Sequence, residues 1–178
     1  MRQDIQEILL SEVELSEICL RLGEQISRDY WDKDLMVIGI LKGASVFMSD
    51  LIRKIDHAID VDYMAVSSYG MSTESSGVVK IMKDLDLSVE GRDLLIVEDI
   101  VDTGLTLNYL IENLKSRKAN SIRVCTLLDK PARRKVDLII DYKGTDVPDA
   151  FIVGYGIDYA EKYRNLPYVA ILKESVYK

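Results

Sequence analysis

The sequence predicts an α/β protein built on a mainly parallel sheet with helices on both faces. Three observations lead there. Continuous apolar runs such as 35–41 and 94–97 read as strands covered on both sides. Segments with apolar residues at helical spacing lie between them. Strand-like and helix-like segments then alternate along the chain, the order that gives a parallel sheet rather than a sandwich or a bundle.

Taken in order, apolar Val13, Leu15, Ile18, Leu22 and Ile26 mark a helix from Ser11 to about Tyr30. Leu35-Met-Val-Ile-Gly-Ile-Leu41 is the first buried strand, and a helix over 44–55 follows it. Residues 61–67 read as a strand that 78–82 could pair with. Leu94-Leu-Ile-Val97 is the next buried strand, followed by a helix over 105–117. Residues 121–128, 138–140, 151–153 and 168–172 complete the expected strands. Pro131, Pro148 and Pro167 fall between apolar segments and read as loop punctuation.

At 178 residues the chain fits one domain, residues 1–178, with a sizeable core. Its 48% apolar and 30% charged residues are ordinary for a globular cytosolic protein. The longest apolar run is too short to cross a bilayer, and the start lacks a secretory apolar region. Cys19 and Cys125 fit no metal or CxxC spacing and read as buried thiols. A net charge of −7 argues against a nucleic-acid backbone binder but leaves room for a small anion held by local donors. The one histidine, His57, has no partner pattern, which weakens the nucleophile–histidine hydrolase class. No GxxxxGK[ST] motif occurs, and Gly154-Tyr-Gly156 lacks the third glycine of a dinucleotide fingerprint.

The most informative segment is Val97-Glu98-Asp99-Ile100-Val101-Asp102-Thr103-Gly104-Leu105-Thr106. A buried strand delivers two adjacent carboxylates, a third follows, and Thr-Gly-Leu-Thr enters a helix. Gly104, two threonine hydroxyls and free helix amides suit a phosphate. Carboxylates alone would repel that phosphate. A ligand with both a phosphate and a diol removes the conflict, since carboxylates accept from hydroxyls directly or through Mg²⁺. A ribose 5-phosphate meets both demands. A plain helix cap explains one or two of these residues but not two further acids after a buried run.

This segment resembles the phosphoribosyl pyrophosphate motif of the phosphoribosyltransferases. The whole is similar to the hypoxanthine-guanine (6-oxopurine) branch in its bacterial length. The likeness runs through Leu41-Lys42-Gly43, Ser68-Tyr69-Gly70, 97–106 and Lys130 to Phe151-Ile-Val-Gly-Tyr-Gly-Ile-Asp158-Tyr-Ala-Glu-Lys-Tyr-Arg164. It implies the type I phosphoribosyltransferase fold, with a flexible lid loop and a small hood. It also implies cytoplasmic purine salvage with Mg²⁺ as cofactor. The substrates would be phosphoribosyl pyrophosphate with hypoxanthine or guanine, and the assembly a homodimer or homotetramer, with neither nucleic acid nor membrane as partner.

Residue by residue, the resemblance gives Glu98 and Asp99 the ribose hydroxyls and metal. Thr103, Gly104, Leu105 and Thr106 would wrap the 5-phosphate, and Asp102 would act as general acid or base at purine N7. Leu105 departs from the basic residue many relatives carry there, keeping an amide donor but losing a charge. Lys42 and Gly43 match the pyrophosphate loop, where relatives have a cis peptide between the first two residues. Arg164 would add a second pyrophosphate contact with its planar fork. Lys130 can only donate, so it suits a 6-oxo group and not a 6-amino group. Phe151 would stack on the purine, the Ile152 backbone would accept from a 2-amino group, and Ile100 would belong to the same pocket. Asp158, also counted with the purine site, would hold a second Mg²⁺ on the pyrophosphate, directly or through water. The polar stretch 67–77 would be a lid whose Ser68 and Tyr69 close over the leaving group and exclude water.

Three rival readings share parts of this pattern: an RNA-binding regulator of the same fold, a subunit of phosphoribosyl pyrophosphate synthetase, and a guanine- or xanthine-preferring transferase. The acidic balance and the purine-pocket residues count against the first. Length counts against the second.

Overall fold

In a computed structural model that describes residues 1–68 and 79–178, six strands form the central sheet. They are β2 (Leu35–Leu41), β3 (Asp60–Ser68), β4 (Val79–Lys83), β5 (Asp93–Val101), β6 (Ser121–Asp129) and β7 (Tyr142–Asp146). Their order is β4-β3-β2-β5-β6-β7, all parallel except β4, which pairs antiparallel with β3.

The continuous apolar runs divide between two cores because successive side chains point to opposite faces. Leu35 and Val37 of β2, with Leu95 and Val97 of β5, meet α1 (Glu12–Asp29) and α2 (Ser45–Ile52). Met36 and Ile38, with Leu94 and Ile96, meet α3 (Leu105–Ser116) on the other face. Ser11 starts α1 with a capping box: its amide donates to Glu14 Oε2 at 2.8 Å while its hydroxyl accepts from the Glu14 amide. Cys19 and Cys125 are buried free thiols in α1 and β6. No helix among the described residues is long and apolar enough to cross a membrane.

Three expectations need correction. Residues 138–140 form no strand. Ile139 is 77% exposed, and the edge of β6 is met instead by Asp141, whose carboxylate accepts from the Val124 amide at 2.8 Å. The chain pairs with β6 only from Tyr142, opposite Cys125. Secondly, residues around 151–153 and 168–172 do not join the parallel sheet. They contribute β8 (Ile152–Val153) and β9 (Val169–Leu172) to a separate antiparallel sheet of order β1-β9-β8. Thirdly, its other edge, β1 (Ile5–Leu10), was not expected as a strand, because none of its residues is fully buried and its apolar signal is short. This small sheet is the hood. The lid stretch falls largely outside the described residues: the backbone of Ser68 ends β3, and Tyr69 is not among them.

Asp62, in β3, closes the turn that leads into β5. Its carboxylate accepts from the amides of Tyr63 (2.7 Å), Asp86 (2.7 Å) and Leu87 (3.1 Å) and pairs with Lys83 at 3.5 Å. Burial alone would raise its pKa, but those amides and the ammonium outweigh it and hold the carboxyl below its ordinary range. The stabilisation is therefore present above the unfolded value of about 3.9 and lost as pH falls through the lower folded value. Asp62→Asn should cost roughly 1–3 kcal/mol in urea denaturation at pH 7. That difference should shrink in acid; a pH-independent difference would exclude the charge as its source.

Candidate active site

The carboxyl ends of β5 and β6 carry most of the expected residues to one place. β5 pairs with β6 through Val101 opposite Asp129, and the Lys130 amide donates to the Val101 carbonyl at 2.9 Å. Lys130 is thereby fixed beside the acidic strand end. The pleat that separates the two cores continues through Glu98 and Asp99 and then reverses, Ile100 packing with the α1 and α2 core and Val101 with the α3 core. Glu98 follows Leu94 and Ile96 toward α3, and Asp99 follows Leu95 and Val97 toward α2.

Glu98 is buried and Asp99 half-buried at the strand end. Burial, then the neighbouring Asp99, push the Glu98 carboxyl well above its ordinary range. Burial also raises Asp99, to about 6, although the amides of Ile100 and Asp99 itself and the Arg164 guanidinium pull it the other way. Two like charges in one buried place invite a cation. Among the described residues no three acids, histidines or cysteines converge as a ready cage. This pair suits a hard ion such as Mg²⁺, which takes one or two protein carboxylates and fills the rest of its shell with phosphate oxygens and water.

On the α3 side, Glu98, Asp102, Thr103, Gly104 and Thr106 line a cavity of about 130 Å³. Gly104 caps the helix with φ 80°, and Asn108 makes the first helical bond to its carbonyl at 2.9 Å. The amides before it lack helical acceptors and are free for an anion. Leu105 contributes the first of these, in a long 3.4 Å contact to Thr103 Oγ1, while its side chain does not line the cavity.

On the α2 side, three chain segments touch. A Cβ built on Gly43 would lie 1.9 Å from Asp99 Oδ2. One built on Gly156, where φ is 102°, would lie 2.1 Å from the Gly43 carbonyl oxygen. Only glycine fits at 156, and at 43 a side chain would have to displace the Asp99 carboxylate. The Leu41–Lys42 peptide that enters this junction is cis, as the resemblance implied. Both expected pyrophosphate cations are tied to acids of the following turn. Lys42 Nζ meets Glu161 Oε2 at 2.8 Å, and Arg164 meets Asp158 Oδ1 at 2.9 Å and donates to the Gly156 carbonyl at 2.8 Å. Asp158 also accepts from the Glu161 amide at 2.9 Å, which fixes the turn. The Lys42 ammonium holds Glu161 below its ordinary range. A separate cavity of about 420 Å³ against α1 and α2 shares only Arg164 with the expected residues.

A third cavity, about 470 Å³, is lined by Ile100, Asp102, Lys130, Phe151, Ile152 and Asp158, with Arg133 and Tyr177 at its border. Lys130 Nζ donates to the Ala150 carbonyl at 2.7 Å, and burial lowers its pKa. Asp102 Oδ1 lies 2.7 Å from Arg133 Nε, an ion pair whose alignment falls short of a hydrogen bond. Arg133 also donates to Asp149 at 3.2 Å, while Arg134 pairs with Asp129 and reaches the Asp102 carbonyl at 3.3 Å. The sequence reading missed Arg133, Arg134, Glu161 and Tyr177. The dibasic pair following Lys130 was a visible signal; the other two were not.

Comparison with known proteins follows the same lines. The phosphoribosyl transferase domain family matches residues 6–160. A hypoxanthine-guanine phosphoribosyltransferase of Bacillus subtilis (strain 168) is 57% identical over 178 residues, covering 100% of this chain and 99% of that protein. The crystal structure of a hypoxanthine phosphoribosyltransferase from Staphylococcus aureus superposes with a TM-score of 0.97 at 53% identity, covering 100% of this chain and 97% of that one. A Bacillus anthracis hypoxanthine-guanine phosphoribosyltransferase with HEPES in its active site gives 0.91 at 48% identity, covering 95% and 99%.

The raised Asp99 carboxyl has a measurable consequence. Its ionised form is disfavoured in the folded state, so it subtracts from stability above the folded value of about 6, and that penalty vanishes below the unfolded value. Asp99→Asn should therefore stabilise the protein in EDTA by roughly 1–3 kcal/mol at pH 8 in urea denaturation, with the gain fading near pH 4. Equal or lower stability at pH 8 would contradict the buried-charge account.

Proposed function

The chain belongs to the phosphoribosyltransferase family, and from that premise we propose a residue-level account of purine salvage. The enzyme transfers 5-phosphoribosyl from its pyrophosphate to N9 of hypoxanthine or guanine, giving IMP or GMP and pyrophosphate. One domain, residues 1–178, carries the reaction. The observation that supports this most is that one strand end borders both cavities: Ile100 and Asp102 line the phosphate-sized and the base-sized one alike.

The free amides and hydroxyls of Thr103–Thr106 hold the 5-phosphate. Glu98 and Asp99 accept from the ribose hydroxyls. Lys42 and Arg164 exchange Glu161 and Asp158 for the pyrophosphate, so the site is charge-balanced before and after binding. Ser68 and Tyr69 of the lid shut water out. Mg²⁺, held by Glu98 and Asp99 on the ribose side and Asp158 on the pyrophosphate side, would neutralise the leaving group when bound.

The purine enters the larger cavity with Ile100 at one wall and Phe151 as its stacking platform. Lys130, already oriented by the Ala150 carbonyl, has further N–H groups to offer O6. Adenine presents an amino group there and leaves the ammonium facing another donor. The Ile152 carbonyl accepts from the 2-amino group of guanine. Asp102 manages the proton at N7 while the bond from C1′ to pyrophosphate oxygen breaks and the bond to N9 forms. Arg133 must yield its contact with Asp102 for that exchange. The resemblance further supports a cytoplasmic homodimer or homotetramer.

Steady-state assays with Mg²⁺ and phosphoribosyl pyrophosphate should show turnover of hypoxanthine and guanine while adenine and uracil stay inert, and excess EDTA should abolish it. Turnover of adenine would sink the role given to Lys130. Asp102→Asn should lower kcat by roughly 10²-fold or more with little change in either KM; an unchanged kcat would remove Asp102 from proton transfer.

A further inference from the structure

Three aromatic rings cluster, two of them, Phe151 and Tyr177, lining the base cavity and the third, Tyr159, packed against both. Phe151 and Tyr177 are stacked, with ring centroids 4.7 Å apart and planes inclined by 27°. Tyr159 meets Phe151 edge-on, at 5.4 Å and 89°. Tyr177 also faces Tyr159 at 6.5 Å and 66°, and lines the base cavity itself. No reading of the sequence would join residues 151 and 177, because their contact depends on the hood.

The C-terminal turn that carries Tyr177, α4 (Glu174–Tyr177), is docked. Just before it, the Lys173 amide donates to the Asp4 carbonyl at 2.9 Å, and Lys173 Nζ donates to the Gln3 carbonyl at 2.6 Å. Val176 and Tyr177 pack on the cluster of Val153, Tyr163, Leu166 and Leu172. The Leu172 amide donates to the Phe151 carbonyl at 2.8 Å, so the backbone of Phe151 is fixed to the strand that launches α4.

We propose that Tyr177 is a positioning residue of the base pocket: its ring, held by the docked C-terminus, fixes the Phe151 ring in the plane against which a 6-oxopurine stacks. The inference rests on the reading of Phe151 as the purine platform. A phenylalanine at a cavity border can turn about two side-chain torsions, and binding a flat base would have to stop that motion. With Tyr177 on one face and Tyr159 against it edge-on, the ring is oriented before the base arrives, and the ordering cost falls. A Tyr177 ring occupying the base position instead would have to leave on binding. The contacts of residues 3, 4 and 173 and the packing of Val176 and Tyr177 oppose that.

The test is the split between the KM for hypoxanthine, the KM for phosphoribosyl pyrophosphate, and kcat. Tyr177→Ala should raise the hypoxanthine KM roughly three- to tenfold, with the other KM and kcat within about twofold. Tyr177→Leu keeps apolar bulk for docking but no flat ring, and should give the same split. Tyr177→Phe should restore the original constants. An unchanged or lower hypoxanthine KM, or a parallel rise in both KMs, would overturn the proposal. Phe151→Ala separates the two levels. If it raises the hypoxanthine KM while Tyr177→Ala does not, only the inference about Tyr177 fails. If Phe151→Ala leaves that KM untouched, the platform reading fails and this inference with it.

Discussion

The site depends on a contact with no room for a side chain. Gly43, at the end of the loop after β2, lies against the Asp99 carboxylate, and Gly156 lies against the Gly43 carbonyl. Three segments distant in sequence meet there, Gly156 against the Gly43 backbone and Gly43 against the Asp99 side chain. The loop carrying Lys42 is thereby placed between the acidic tip of β5 and the turn that carries Asp158, Glu161 and Arg164. A methyl group at Gly156 would meet the Gly43 carbonyl, and one at Gly43 would meet the Asp99 carboxylate, so either would disturb the placing of Lys42 beside the tip of β5. The sheet supplies the positions of these strand ends, and the glycines supply their proximity.

Charge explains why the parts are at rest before substrate arrives. The sheet delivers two carboxyls to a buried place where both are pushed toward their neutral forms. The cations nearby do not collapse onto them alone. Lys42 is engaged by Glu161, Arg164 by Asp158, and Arg133 by Asp102 and Asp149. On the proposed reading a polyanionic substrate would enter by exchanging partners rather than by neutralising a bare positive surface. That arrangement accounts for an anion site within a chain of net charge −7. The exposed Lys42–Glu161 pair in particular contributes little to stability and is readily exchanged.

What could be read in the sequence was what is local. The tip of β5, the glycine-threonine turn and α3 are contiguous, so hydrophobic run, carboxylates and phosphate loop stand side by side in the chain. The two-sided burial of β2 and β5 was equally legible, because alternate residues of one apolar run feed two cores. The hood was not, since β1 and β8 are short and find partners only through β9. Residues 138–140 misled because apolar content suggested a strand where Asp141 takes the edge amide. Glu161 and Tyr177 gain their places only through tertiary contact, one by pairing with Lys42 and the other by stacking on Phe151. Family resemblance supplied roles for Lys42, Lys130, Phe151 and Asp158 that spacing alone could not.

The most direct test of the central constraint is to compare phosphoribosyl pyrophosphate and IMP binding to Gly43→Ala by calorimetry in the presence of Mg²⁺. On the proposed reading IMP would engage the 5-phosphate loop and the base cavity, and it has no pyrophosphate. The account predicts that the affinity for phosphoribosyl pyrophosphate falls by roughly 10²-fold or more, with IMP affinity changed by only a fewfold and the unfolding transition still cooperative. Undiminished affinity for phosphoribosyl pyrophosphate, or an equal loss for both ligands, would contradict the claim that this junction aligns the pyrophosphate loop with the acidic strand end.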